Sequence, residues 1–384
     1  MQTQRAAIVS GARTPIGKAG KAYADVHAVD LLSVSIKGAL EAAGLDDPEA
    51  VEQVFAGCTA PAGDQAVNVA RNGWLAAGLP YGVAATTLDT QCGSSQQAVN
   101  IAAALIAAGQ ADIVLATGIE STSRCEMGVA ALAGTGTPYS EAQLARYEMP
   151  HQGIAGERIA QKYGVTREES DEFGLRSHLL SHQAWENGHF KDEAVFVERD
   201  GTPLLSRDEG IRPDSTLEKM ATLKPVYDED GIINAGSSSQ LSDGSSAVLL
   251  ASEAACAKHG LEPLAWIRRT IAVGTDPDIM LEGPIHAATK LLEREGLSLD
   301  DIDLFEVHEA YATVVQAWRK VHPVELDRIN IDGGAIGQGH PFGASGARQI
   351  AHLTHALRRT GGRIGLQVMC CGGGIGTGTI LEVA

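Results

Sequence analysis

Positive charge is scarce in this chain: 30 Lys and Arg face 48 Asp and Glu, for a formal net charge of -18. A field of that sign repels phosphate, which excludes non-specific attraction to nucleic acid or to an anionic membrane, so an anionic ligand needs a local basic pocket. Long apolar runs are absent as well. No segment reaches the length of a membrane span, and Met1 to Arg13 has no basic stretch followed by an apolar one, so a soluble cytoplasmic protein is expected. Six cysteines scattered over 384 residues are too few for a disulfide framework, and no paired CxxC supplies a zinc signature. That leaves packing or catalysis for each thiol. Glycine, by contrast, is abundant at 44 residues, which points to many tight turns and close backbone approaches.

The length exceeds what one hydrophobic core organises, and the pattern repeats itself. From Val29, VDLLSVSIKGALEAAGL has apolar residues at helical spacing and stops at Gly44, and VEQVFAGCTA from Val51 then reads as a strand. PIHAATKLLEREGL, with its terminal glycine at Gly296, and DIDLFEVHEA repeat that pair. A second match is longer. LDTQCGSSQQAVNIAAALIAAGQADIVLATG from Leu88 and the segment from Ile329 through MCCGG share strand, glycine turn, buried helix and strand, with Gly93 and Ser95 aligned to Gly343 and Ser345. Repeats this long indicate a duplicated α/β unit rather than a solenoid. The segment from about Glu120 to Ser242 has no counterpart and contains two amphipathic helical patterns, so an inserted helical lobe is expected there.

Chemistry concentrates where strands give way to helices. Cys92 lies between the strand-like TTLD and a helix opening on GSSQQ, a place where free amides and the helix dipole lower a thiol pKa. The run GGAIGQGHPFGASGAR puts His340 at the equivalent turn of the second half, where duplication brings an imidazole base across from the thiol. Its glycines, Gly337, Gly339 and Gly343, imitate a dinucleotide fingerprint, but no Asp or Glu follows between Gly343 and Leu381 to hold a ribose, which rejects a nicotinamide site. QVMCCGGGIGTG offers a second thiol at Cys370 or Cys371, and adjacent strand residues face opposite ways, so only one of them serves the site. VHEAYA adds His308 and Glu309. Metal is disfavoured there, because Ala312 stands where HExxH needs its second histidine.

Together the Cys92 segment, HEAYA, GHP with GASGAR, and the CxG of Cys370 to Gly372 resemble the thiolase family in order and spacing across the whole chain. The resemblance implies an α/β, duplicated, five-layered αβαβα fold with an inserted loop domain. Its parts would be an N-terminal half of residues 1–119 plus 243–268, a CoA-binding insertion of 120–242 and a C-terminal half of 269–384. It implies an acyltransferase with no permanently bound cofactor and coenzyme A as co-substrate, assembled as a homodimer or homotetramer. By the same match Cys92, activated by His340, attacks the 3-keto carbon of a 3-ketoacyl-CoA and expels acetyl-CoA, after which CoA deprotonated by Cys370 releases the shortened acyl-CoA. His340 and a water held by His308 stabilise one oxyanion, and the backbone amides of Cys92 and Gly372 the other. His151, Arg212 and Ser239 match positions lining the CoA site, and Met280 one near the pantetheine and acyl groups.

Two departures set a direction. HEAYA stands where short-chain biosynthetic thiolases have NEAFA, and Gln338 stands where they have leucine; histidine at that place resembles degradative, trifunctional-type thiolases. AGSSSQLSDG and LEGPIHAATK look like actinobacterial thiolases of steroid side-chain breakdown, so β-oxidation of a bulky acyl chain is expected. The alternatives are biosynthetic acetoacetyl-CoA condensation, a decarboxylating ketoacyl synthase, and a non-catalytic acyl-CoA binding protein on the same fold.

Overall fold

The computed structural model describes residues 4–132 and 136–384. Five strands, β1 (Ala6–Arg13), β2 (Gln53–Gly57), β3 (Ala84–Leu88), β4 (Ile113–Ser121) and β5 (Ser242–Ser252), build a first half-sheet in the order β3-β2-β4-β5-β1. Four more, β6 (Ala265–Gly274), β7 (Leu304–Val307), β8 (Ile364–Cys371) and β9 (Ile375–Val383), build a second in the order β7-β8-β9-β6. The pairing senses repeat: β2 runs parallel to β4 as β7 does to β8, while β4 opposes β5 as β8 opposes β9. Where the first half has β3, the second has a lone parallel bridge between Phe305 and Ile329. The halves meet through a short β1–β6 contact, Ala7 with Trp266 and Ile8 with Ala265. The expected 268/269 boundary lies within β6, which pairs with β9 from Ala265 onward.

The helices repeat too. On the first half lie α1 (Ala28–Ala43), α2 (Val69–Ala76) and α3 (Ser94–Ala107), and between β4 and β5 come α4 (Gln152–Tyr163) and α5 (Arg167–Glu186). The second half carries α6 (Gly283–Glu295), α7 (Ala312–Val321) and α8 (Ser345–Thr360). Helices α1 and α6 both stop on a left-handed glycine, Gly44 and Gly296, each at φ 65°, a conformation that costs a side chain but not glycine. Strand alternation sorts the layers. Ile113, Leu115 and Ile119 of β4 pack toward α1, while Val114 and Ala116 join the core shared by α3 and α8. With α6 and α7 on the far face of the second half-sheet, the order is helix, sheet, helix, sheet, helix.

The inserted lobe is anchored by buried charge as well as by apolar contact. Arg13 on β1 bridges Glu193 and Asp208 of the insertion, and His352 on α8 lies 3.2 Å from both Glu193 and Asp332. Burial alone would raise Glu193, but the His352 imidazolium and Arg13 outweigh it and hold the carboxyl at about 2. Burial would likewise lower His352, yet Glu193 and Asp332 lift it to about 10. The lowered Glu193 stabilises the fold above its ordinary 4.5 and loses that contribution as pH falls through about 2. The raised His352 stabilises fully below 6.5 and loses its contribution as pH rises through about 10. Replacing His352 with glutamine is expected to cost about 3–5 kcal/mol at pH 6, because two buried carboxylates lose the cation they share and each keeps an arginine partner on one side. Urea unfolding of both proteins between pH 5 and pH 10 checks this; a constant difference across that range would show that the imidazolium is not the source.

Candidate active site

Beyond β3 the chain turns sharply to reach α3. The Asp89 carboxylate accepts hydrogen bonds from the Gln91 backbone amide at 2.8 Å and from its side-chain amide at 3.0 Å. Gln91 is thereby held at φ 52°, a left-handed conformation unusual for a residue with a side chain. Cys92 follows it, 4% exposed, at the base of a cavity of about 350 Å³ whose walls include Gln91, Glu120, Tyr139, Gln152 and Phe342. A Cβ on Gly93 would lie 2.5 Å from the Cys371 sulfur, so only glycine lets this turn seat against β8.

The expected lowering of the Cys92 pKa is overturned. Burial, and then the neighbouring Cys370 and Cys371 thiols, push it well above 9.0, and the backbone amide at the helix start offsets only part of that. Cys92 is a neutral thiol at rest. A nucleophile in this state needs a base that takes its proton as it attacks.

The second half supplies imidazoles at the same end of the sheets. His308 leaves β7 with its amide bonded to the Val368 carbonyl on β8, and His340 precedes the short turn into α8. Their Nε2 atoms are 3.1 Å apart and both rings are buried. His340 Nδ1 lies 2.7 Å from Ser345 Oγ, which donates its own hydrogen to the Pro341 carbonyl. This network assigns the hydrogen of His340 to Nδ1 and leaves Nε2 as a lone pair that receives the Nε2–H of His308. Burial, then His308 and Arg348, depress His340 well below 6.5; burial, then Arg348, bring His308 to about 3. Both are neutral at physiological pH.

Cys370 and Cys371 point to opposite faces of β8. Cys370 shares the outer core with Val368 and Leu366 and is hydrogen-bonded by the Ala310 backbone amide, just past His308. Cys371 packs on the base of the Cys92 turn. Burial and then Cys371 raise the Cys370 thiol, so it too rests protonated. Tyr311, whose hydroxyl donates to Tyr227, lies close enough to Cys92 and Cys370 for both to perturb it.

The two halves lock at this point. The Glu120 carboxylate, at the end of β4, accepts from Thr59, Ala60 and Gln65 of the first half and, at 2.9 Å, from the Gly343 amide of the second. A Cβ on Gly118 would come within 2.2 Å of the Gly343 carbonyl, so the strand ends admit the His340 turn only because side chains are missing. Ser95 Oγ then accepts from the Ala347 amide, joining the starts of α3 and α8.

The residues expected around CoA are spread more widely. His151 caps α4 through Nδ1 to the Gly153 amide and packs on Tyr227 at 5.3 Å between ring centres. The Ser239 amide binds the Ala310 carbonyl at 3.0 Å, which puts it beside the His308 strand end. Arg212 is exposed in a separate cleft with Lys219 and His178. Met280 is buried in the C-terminal core, with φ 61°, rather than on the cavity wall that holds Cys92. Gln338 donates to the Asp332 carbonyl and accepts from Arg348, behind the imidazole pair.

Residues 6–254 match the family model of the thiolase N-terminal domain, and residues 261–383 that of the thiolase C-terminal domain. The chain belongs to the thiolase family. It is therefore an acyltransferase. This thiolase is 43% identical over 383 residues, 98% of its own length and 93% of the other, to the steroid 3-ketoacyl-CoA thiolase of Mycobacterium tuberculosis. It superposes on the acetyl-CoA acetyltransferase of Bacillus anthracis with a TM-score of 0.91 and 36% identity, and on human mitochondrial 3-ketoacyl-CoA thiolase with 0.89 and 34%, each covering 100% of both chains. No helix among the described residues is long and apolar enough to cross a membrane.

Several residues that shape the site escape the sequence. Ser345, which fixes the His340 tautomer, sits in plain view in GASGAR, and its spacing of five from the imidazole is the only hint of contact. Tyr311 belongs to HEAYA but its hydroxyl partner comes from the insertion. Gln91, Gln152 and Glu120 adjoin motifs without belonging to them, and nothing in their spacing marks them.

Proposed function

We propose that this thiolase cleaves 3-ketoacyl-CoA to acetyl-CoA and a shortened acyl-CoA through an acyl group carried on Cys92. The observation that carries this reading is a neutral thiol and a neutral imidazole pair at one end of the duplicated sheets, with a second protonated thiol beside them. His340 Nε2, once its lone pair is released from the His308 N–H, takes the Cys92 proton as sulfur bonds to C3, and the C2–C3 bond breaks. The departing carbanion takes the Cys370 proton and leaves as acetyl-CoA. Coenzyme A then gives its proton to the Cys370 thiolate and attacks the acyl carbon, and the Cys92 sulfur leaves and recovers its proton from His340. The amides of Cys92 and Gly372 hold the acyl oxygen, while His340 and a water held by His308 hold the oxygen of the departing enolate.

Arg212 serves CoA phosphate and His151, Ser239 and Met280 the rest of that cosubstrate, and the enzyme works in the cytoplasm as a homodimer or homotetramer. The acyl chain is bulky and steroid-derived, a reading supported by the name of the mycobacterial relative. A thiolysis series from acetoacetyl-CoA through long 3-ketoacyl-CoAs to a steroid-derived thioester tests it. Highest kcat/KM is expected for the steroid thioester. Binding of CoA without turnover of any member would leave a non-catalytic binding protein, and a best rate with acetoacetyl-CoA would restore the biosynthetic reading.

A further inference from the structure

The Gln152 side chain does something the shared motifs do not call for. It is the first residue of α4, and its neighbour His151 fixes the helix start by capping Gly153 and packing on Tyr227. Gln152 therefore leaves a rigid element and enters the cavity that holds Cys92. Its amide nitrogen stands 2.9 Å from where a Gly372 Cβ would be, and Gln91 Oε1 stands 3.0 Å from the same point. Among the described residues the Gln152 side-chain amide makes no hydrogen bond, and Gln152 lines the cavity. An amide donor held on a rigid helix, beside a backbone amide that faces a developing charge, is positioned for that charge.

We infer that the Gln152 amide is a third hydrogen-bond donor to the acyl carbonyl carried on Cys92, acting beside the Cys92 and Gly372 amides. The inference rests on the acyl-enzyme reading given above. Its ligand is a thioester oxygen, and its contribution grows as that oxygen gains charge in either tetrahedral intermediate. Gly372 must lack a side chain for the same reason, since a methyl group there would meet the Gln152 amide nitrogen and displace it from the oxygen.

Two substitutions separate a donor from a wall residue. Gln152→Met keeps length and volume but removes the N–H, and is expected to slow single-turnover acylation by about 10-fold, below the ~10²–10³ seen when a principal oxyanion donor is lost, with the KM for CoA unchanged. The carbonyl stretch of a ¹³C-labelled acyl-enzyme should move to higher frequency, because a weaker hydrogen bond leaves more double-bond character. Gln152→Glu keeps the shape and puts an acceptor beside the oxygen. Its rate should be low at pH 8 and recover as pH falls and the carboxyl regains a hydrogen, a trend absent in wild type. A Gln152→Met enzyme within twofold of wild type with an unmoved carbonyl stretch would overturn the inference. If wild type itself forms no acyl-enzyme, the catalytic reading fails first and this inference falls with it.

Discussion

Replacing Cys92 with alanine is expected to lower thiolysis of a 3-ketoacyl-CoA by a factor on the order of 10⁴ or more, and to abolish the acyl adduct that mass spectrometry is expected to detect on the wild-type Cys92 peptide. The size follows from the chemistry. Without the sulfur, carbon–carbon cleavage has to proceed by direct attack of CoA on the ketone, and the covalent step that splits one high barrier into two is gone. The fold should survive, since Cys92 offers only a small side chain to a site that already borders a cavity. Serine at the same place gives a second measure. Its hydroxyl is harder to deprotonate than a thiol, and any oxyester formed is a poorer electrophile than the native thioester, so label should accumulate slowly and leave slowly. An acyl label found on Cys370 or Cys371 in wild type, or turnover by Cys92→Ala within tenfold of wild type, would remove Cys92 from the nucleophile's role.

Much of the architecture is legible from the sequence because duplication writes most elements of the two halves twice. A helix ending on Gly44 and another on Gly296, each followed by a strand, is a pattern that periodicity alone detects, and the structure returns it with the same glycine torsion. The site is less legible, and for a physical reason. Charge state depends on desolvation, and desolvation depends on what the other half of the molecule covers. From position alone Cys92 reads as a thiol with a lowered pKa at a helix start; burial, with Cys370 and Cys371 brought against it from 278 and 279 positions along the chain, reverses the sign. The His308–His340 contact likewise crosses 32 residues and needs the strand pair β7–β8 and the Glu120 anchor to exist. Arg13, Glu193, Asp208 and His352 read singly as scattered charges and become one buried network only in three dimensions.

Replacing His340 with alanine is expected to slow acylation about 10³-fold, within the ~10²–10⁴ that a positioned general base supplies. The neutral thiol is what makes the effect large: a preformed thiolate would need no base, whereas a buried thiol held well above 9.0 gives up its proton only to an adjacent acceptor. On the proposed mechanism the imidazole is that acceptor, and it stays available over a wide range. Because burial, His308 and Arg348 lower its pKa, His340 keeps its Nε2 lone pair well below the pH at which an ordinary histidine protonates near 6.5. Wild-type acylation should therefore hold level from pH 8 down to about pH 5.5, where an unperturbed imidazole would already be about nine-tenths protonated. Stopped-flow measurement of the acyl-enzyme burst across that interval checks the point. A descending limb centred near 6.5 that vanishes in the alanine enzyme would mean that His340 titrates freely and that the low-dielectric pairing with His308 does not set its charge. Replacing Ser345 with alanine should leave the lone pair in place but free the ring to rotate and exchange tautomers, so its loss ought to be smaller than that of His340→Ala and to appear in the burst rate rather than in the KM for CoA.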